Sequence, residues 1–336
     1  SGQLAEHEAV RKGIGLFDLS HMGEFRLRGP GALAAAEKIV TNRVLGTDPG
    51  QVVYSPMCYP HGGIVDDLLI YHLEDSVLLV VNASNIEKDL AWVKENLPQD
   101  VSLENESYET SLLAVQGPRV EEMLQQMTEV PLSDLGYYRT CPAKVGGLDL
   151  LLSRTGYTGE DGFELYVKDA EAPDLWNRLM EVGKSYDITP IGLAARDTLR
   201  FEMGYCLYGN DIDETTNPLE ANLGWTVKIK KEDFVGRDAL VKQKEDGVSR
   251  KLVGLEVTEG RMIPRQGYTI EAGGSPVGKV TSGTFAPSLG KGYALGYVDS
   301  AFSKVDTELN IQIRNKAVPA AVRRAPFYKD GTRKSK

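Results

Sequence analysis

Ser153-Arg-Thr-Gly-Tyr-Thr-Gly-Glu-Asp-Gly-Phe-Glu-Leu-Tyr166 is the stretch on which the fold reading turns. Glycines at 156, 159 and 162 predict a tight loop that can approach a ligand closely. Beyond it the chain alternates, with Phe163, Leu165 and Val167 on one side of a strand and Glu164 and Tyr166 on the other. A hairpin is expected to begin at Val145-Gly-Gly147, with 148–153 as one arm and 163–167 as the other. If the sheet is covered on both faces, Glu164 is buried and must find hydrogen-bond partners. A carboxylate there suits a ligand ring with adjacent N–H and NH2 donors, as in an aminopyrimidinone. The plainer alternative is a Glu on a solvent face.

The second informative stretch is Gly192-Leu-Ala-Ala-Arg-Asp-Thr-Leu-Arg-Phe-Glu-Met-Gly204, a helix expected over 192–203 and ended by Gly204. With Leu193 at 0°, Leu199 falls at about 240°, Met203 at about 280° and Arg196 at about 300°, so Arg196 sits among apolar neighbours. A guanidinium there needs an anion: an internal partner such as Asp197 or Asp211, or a ligand carboxylate gripped bidentately.

Composition narrows the class. A chain of 336 residues, 41% hydrophobic, has material for two or three domains. No run approaches the roughly 18 apolar residues of a membrane span, and no basic-then-apolar leader opens the chain. Unpaired cysteines fit a reducing compartment, and the expected one is the cytoplasm; the start at Ser1-Gly2 rather than Met leaves the mitochondrion open if a leader was removed. Three scattered cysteines and four histidines without ligand spacing predict neither disulfides nor a metal. A net charge of -10 argues against nucleic acid as a partner. The basic end, with Arg323, Arg324, Lys329, Arg333, Lys334 and Lys336, reads as a solvated tail or an anion-contacting edge.

Along the chain, Phe25 and Leu27 alternate with Glu24, Arg26 and Arg28 in a half-buried strand, followed by Gly29-Pro-Gly31 and a helix over 32–40. That glycine pair lacks the rest of any phosphate-loop pattern. Runs 52–57, 63–72 and 77–81 are expected strands, with a turn at Pro60-His-Gly-Gly63. The next helix carries Ser84 and Glu87 at capping-box spacing, a stripe of Ile86, Leu90, Val93 and Leu97, and a stop at Pro98. Asp89 lies about 60° from Ile86, on the flank of that stripe, and is expected half-buried: an acid favoured by the helix dipole, or one aimed into a cleft. A strand over 112–116 and helices over 119–127 and from Pro173 follow. Residues 224–229 read as a strand and 237–244 as a short helix before a boundary. From Lys251 short strands at 252–257, 267–270, 278–281, 292–298 and 309–313 predict a small antiparallel barrel or sandwich.

No nucleophile elbow, P-loop or full dinucleotide fingerprint is present. What remains is a set that binds and orients: Asp89, Glu164, Arg196, tyrosines such as Tyr157, and Trp225. From residue types alone this reaches a globular enzyme or binder for an aromatic, anionic small molecule.

The runs 153–162, 193–200, 207–213 and 280–284, with 63–67 and 82–90, closely resemble the T-protein family of the glycine cleavage system, the aminomethyltransferases, in order from about 5 to about 328. The resemblance implies an α/β (α+β) protein of three clover-like domains around a central folate channel, with a C-terminal β-barrel or sandwich. The expected division is 1–50 with about 138–245, about 51–137, and about 250–330. It implies tetrahydrofolate as co-substrate and, as partner, the H-protein whose lipoyl arm brings an aminomethyl group. The products would be 5,10-methylenetetrahydrofolate, ammonia and the dihydrolipoyl protein. Carried over by position, the acid of the helical K-D-L motif is Asp89, the implied catalytic group. Glu164 would hold the pterin edge, Arg196 would serve the folate side, and Tyr328 would follow the P-F pair. Two alternatives share the fold: a folate-dependent demethylase, and an iron–sulfur-assembly type folate binder, whose K-G-C motif is replaced here by Arg154-Thr-Gly-Tyr.

Overall fold

Strand Gly162–Lys168 lies between two antiparallel partners, Thr110–Gln116 and Leu148–Ser153, and its residues 162–167 are buried on both faces. The computed structural model describes residues 2–333, which fall into two units: 2–57, 66–196 and 331–333 in the first, 58–65 and 197–330 in the second. Among the described residues no helix is long and apolar enough to cross a membrane.

The first unit holds two sheets. One runs in the order Thr189–Pro190, Gly15–Asp18, Thr110–Gln116, Gly162–Lys168, Leu148–Ser153, Thr140–Val145. One of its faces, with Leu16, Leu113, Val115, Leu152, Phe163 and Leu165, packs on Leu175 and Leu179 of helix Ala172–Gly183 and on Met123 and Leu124. Each such buried side chain contributes roughly 1.5–3 kcal/mol. The Gly146-Gly147 turn, with φ of 56° and 88°, joins Thr140–Val145 to Leu148–Ser153; the expected second arm of the hairpin enters as the third strand.

The second sheet runs Val52–Cys58, Ile64–His72, Val77–Val81, Gly23–Arg28, Ser102–Asn105. Gly23–Arg28 thus joins strands from 51–137, while Thr110–Gln116 joins the first sheet, so sheet membership crosses the expected domain boundaries. Gly23 faces helix Ile86–Asn96, where a Cβ would lie 2.7 Å from both Ile86 and Val81. The opposite face is fixed by register: Glu24 pairs with Val80 and Val80 with Leu69, while Arg26 pairs with Leu78 and Leu78 with Tyr71. Because directly paired residues share a face and neighbours alternate, Asp67, Leu69, Tyr71 and Glu24 lie on one side and Asp66 on the helix side. The capping box does not form: Asn85 is the N-cap, and its side-chain amide donates to Asp66 Oδ1 at 2.8 Å.

In the second unit six strands close a barrel in the order Arg250–Val257, Lys291–Asp299, Ser275–Ala286, Thr269–Ala272, Glu308–Ile313, Lys316–Arg323. Alternate residues, among them Val253, Leu255, Ile270, Val280, Val298 and Ile311, fill its interior. The expected strand at 224–229 is instead a 3-10 turn, Gly224–Thr226, because Thr226 Oγ1 donates to the local Leu223 carbonyl at 2.6 Å. Helix Leu193–Glu202 ends as expected, with Gly204 at φ +67°. The basic end is not a uniform tail: Arg323 closes the last barrel strand and pairs with Glu256 at 2.8 Å and Asp306 at 2.6 Å. Lys334 and Lys336 lie outside the described residues.

Candidate active site

Glu164 projects from the first sheet on the face opposite its apolar core and is 8% exposed. One oxygen, Oε2, takes both of its hydrogen bonds, a short one from Thr155 Oγ1 and one from the Tyr71 hydroxyl at 3.5 Å. Tyr71, from the second sheet, also meets the Tyr166 hydroxyl at 2.7 Å, the two rings edge to face with centroids 5.5 Å apart. Burial pushes the Glu164 carboxyl up, while Thr155, Arg196 and Tyr71 draw it back. Burial also pushes Tyr71 and Tyr166 up, so both hydroxyls stay protonated at neutral pH. The two sheets of the first unit thus meet in a buried polar cluster built around one carboxylate.

Thr155 is held from below: the Gln116 amide donates to its carbonyl at 3.1 Å, and Ser153 Oγ lies 2.8 Å from its hydroxyl. A Cβ on Gly156 would lie 2.0 Å from Gln116 Oε1, and one on Gly162 would lie 2.3 Å from the same amide. These two loop glycines therefore admit Gln116 rather than a ligand, which corrects the expectation of a close ligand approach there. Arg154 in the same loop is fully buried and bound to Asp161, Glu121 and the carbonyls of Leu132 and Leu135.

Arg196 is half-buried, and its guanidinium lies 4.6 Å over the ring of Tyr157. The internal ion pairs that its helix position invited belong instead to Arg200, one turn on, which bonds Asp197 at 2.7 Å and Asp211 at 2.8 Å with a side chain 2% exposed. Among the described residues Arg196 has no carboxylate at ion-pair distance. Its positive charge reaches Glu164 and His21, whose imidazole is pushed down by desolvation and then by Arg196.

The expected position of Asp89 is corrected. It is 0% exposed rather than half-buried, under the helix and on the Asp66 side of the strand. Among the described residues no N–H or hydroxyl donates to either oxygen; the protonated carboxyl shares its proton with Asp66, and Lys88 Nζ stands 3.1 Å from Oδ1. Desolvation first, then the neighbouring Asp66, pushes Asp89 up to about 10, against the pull of Lys88, so it is neutral at pH 7. Asp66 accepts from the Asn82 side-chain and backbone amides at 2.8 and 3.0 Å.

Asp67, which the sequence reading passed over, is half-buried on the other face, with Tyr71. The Tyr54 hydroxyl donates to it at 2.9 Å and Asn82 Nδ2 at 3.0 Å. Burial, aided by the charge of Asp66, pushes it up to about 7. The signal was available in the alternation of Asp67, Leu69 and Tyr71 along their strand. Glu24, expected on a half-exposed polar face, is 0% exposed, neither oxygen has a hydrogen-bond partner among the described residues, and it is pushed up to about 8 by burial and by Glu106.

The geometry therefore brings together Glu164, Tyr157 and Arg196 and adds Tyr71, with Asp67 on the Tyr71 face of its strand and Asp89 on the opposite side. Trp225 and Tyr328 lie in the second unit. Trp225 is 60% exposed on its turn, and the half-buried Tyr328 donates its N–H to the Glu202 carbonyl at 3.0 Å. Two open surface clefts of about 630 and 810 Å³, one beside Met180 and one beside Leu150, contain none of these residues.

Comparison with known proteins agrees along the length of the chain. Residues 1–231 match the GCVT N-terminal domain, and 250–329 match the glycine cleavage T-protein C-terminal barrel domain. An aminomethyltransferase of Halothermothrix orenii is 51% identical over 325 residues, covering 96% of this chain and 91% of that protein. One from Bacillus subtilis is 48% identical over 327 residues, covering 96% and 90%. The crystal structure of the glycine cleavage system aminomethyltransferase T from Bartonella henselae superposes with a TM-score of 0.92 at 34% identity, over 99% of this chain and 91% of that one. With both its N-terminal part and its barrel so matched, the chain belongs to the glycine cleavage T-protein family of aminomethyltransferases.

Proposed function

We propose that Asp67, Glu164, Arg196 and Tyr157 form the working surface for methylene transfer to tetrahydrofolate. As a member of its family the chain is an aminomethyltransferase of the glycine cleavage system, and the demethylase and iron–sulfur-assembly alternatives give way to that assignment. In the finer reading its donor is the aminomethyl-lipoyl group of the H-protein, its acceptor is tetrahydrofolate, and it works in the cytoplasm.

The transfer forms two bonds from the methylene carbon to folate nitrogens and breaks its bonds to the amine and to lipoyl sulfur. The two folate N–H protons leave with ammonia and the dihydrolipoyl thiol. The chain's part is to orient the reactants, hold charge and move a proton. Glu164, with Oε2 already bonded, offers a carboxylate to the N–H edge of the pterin, and Arg196 on Tyr157 offers a planar cation to the folate carboxylates. Trp225 and Tyr328 remain candidates for folate contact.

One observation supports assigning the proton-transfer role to Asp67 in place of the expected Asp89. Asp89 is sealed and neutral, whereas Asp67 is half-buried on the Tyr71 face and titrates near 7, where a general base works best. The test is folate titration followed by methylene transfer from loaded H-protein, using Asp67→Asn and Asp89→Asn. The reading expects Asp67→Asn to bind folate and lose turnover. Full turnover in that variant returns the role to another group, and a wild-type protein that binds no folate overturns the whole reading.

A further inference from the structure

The loop over 154–162 is held from two sides, and the outer side is supplied by the far end of the chain. Thr332 donates to Glu160 Oε2 twice, from its backbone N–H at 3.0 Å and its hydroxyl at 2.6 Å, and its hydroxyl accepts from the Asp161 N–H at 3.1 Å. The Arg333 N–H donates to the Gly159 carbonyl at 3.2 Å, and Gly331 packs so closely that a Cβ would lie 2.4 Å from that oxygen. From the other side Arg11 bonds Glu160 Oε1 at 2.8 Å and the Thr158 carbonyl at 2.7 Å. Thr158 Oγ1 in turn donates to Gln116 Oε1 at 3.0 Å. Glu160 is 3% exposed, so its carboxylate depends on these donors for solvation, while Thr332 itself is exposed.

We propose that Thr332 is a positioning residue: the segment 331–333 is a strap that fixes the loop carrying Tyr157 and leading into Glu164, and so sets the ligand-facing stack of Tyr157 and Arg196. This rests on the reading of Tyr157, Glu164 and Arg196 as folate contacts. A loop with three glycines has many conformations open to it, and hydrogen bonds to a buried charged acceptor are the strong kind that removes that freedom. Losing the strap leaves the catalytic carboxylate of the other sheet untouched but makes folate select among loop conformations before it binds.

The experiment compares Thr332→Val, which keeps shape and loses the hydroxyl, with Thr332→Ser, which restores it, and with a chain ended after Asp330. Folate KM and kcat are measured with loaded H-protein, alongside thermal unfolding. The expected result is a folate KM raised about tenfold in Thr332→Val and more in the shortened chain, kcat within about twofold, and near-wild-type KM in Thr332→Ser. An unchanged KM in both Thr332→Val and the shortened chain overturns the strap. So does a loss in which kcat falls with KM and the unfolding temperature drops in step, since that marks a merely structural contact. Failure of the wild type to bind folate would instead strike the underlying reading, so the two failures are distinguishable.

Discussion

Asp66 and Asp67, adjacent in sequence, face opposite sides of one strand and meet opposite surroundings. Asp66 turns toward the helix that carries Asp89 and is tied by Asn82 and Asn85; Asp67 turns toward the Tyr71 face and is tied by Tyr54 and Asn82. Asn82 bridges the pair by donating to both carboxylates. Two identical side chains thus divide into one turned to the helix and Asp89 and one on the Tyr71 face, to which the proton-transfer role is proposed.

The first prediction concerns pH. With Asp67 pushed up to about 7, its basic form is gained as pH rises through that value, so kcat/KM should climb from pH 6 to pH 8. Asp67→Asn should lose at least about a hundredfold in kcat, within the usual range for a proton-transfer group, and with it that ascending limb. Asp89→Asn should keep the limb, because at these pH values Asp89 is already uncharged.

Stability should separate the two sealed carboxyls. Asp89 and Glu24 hold their protons in the folded chain up to about 10 and about 8, against ordinary values of roughly 3.9 and 4.3. Their stabilising contribution is therefore complete below about pH 4 and is lost as pH rises through the folded values. Asp89→Asn and Glu24→Gln carry no such proton, so each should gain in unfolding temperature relative to wild type between pH 5 and pH 8. A gain of roughly 2–4 °C corresponds to about 1 kcal/mol in domains of this size. Above pH 8 the Glu24→Gln advantage should level off while that of Asp89→Asn keeps growing. Parallel curves across the whole range would show that neither group is held neutral.

The strand alternation of 163–167, the helix at 172–183 and the closing barrel were legible because each repeats one period long enough to bury a face. Glu164 was legible for the same reason, being the polar exception in a strand covered on both sides. Asp89 misled because helical angle fixes direction only, whereas burial depends on what the facing strand supplies, here Gly23 and Asp66. Arg196 and Arg200 are one turn apart, and only the course of the loop to Asp211 decides which is neutralised internally. The strap at 331–333 carries no local pattern at all, since its partners lie about 170 residues away, as with Thr332 and Glu160 at a separation of 172.

Arg196 should resist conservative replacement. Its guanidinium stacks on Tyr157 at 4.6 Å, a contact contributing about 0.5–2 kcal/mol, and an ammonium cannot reproduce the planar fork. Both Arg196→Lys and Arg196→Ala should raise folate KM about 3- to 30-fold, with Tyr157→Ala intermediate. Steady-state kinetics over folate concentration decide it; a silent Arg196→Lys would reduce the residue to a point charge.

Arg200 should behave in the opposite way, through stability rather than affinity. Its side chain, 2% exposed, bonds Asp211, Asp197, the Tyr205 carbonyl and Ser282, all within the second unit. Asp211 is 0% exposed and also accepts from Thr281 at 2.6 Å and from the Leu207 N–H at 3.0 Å. Truncating Arg200 strands a buried carboxylate, which typically costs about 3–5 kcal/mol, whereas removing both charges together costs less because no orphan remains. Arg200→Met should therefore unfold at markedly lower denaturant, and the double variant Arg200→Met with Asp211→Asn should recover part of that loss. If the double variant is instead as unstable as the sum of the two single ones, the pair is not coupled, and the burial of Asp211 must be supported by Thr281 and the loop amide alone.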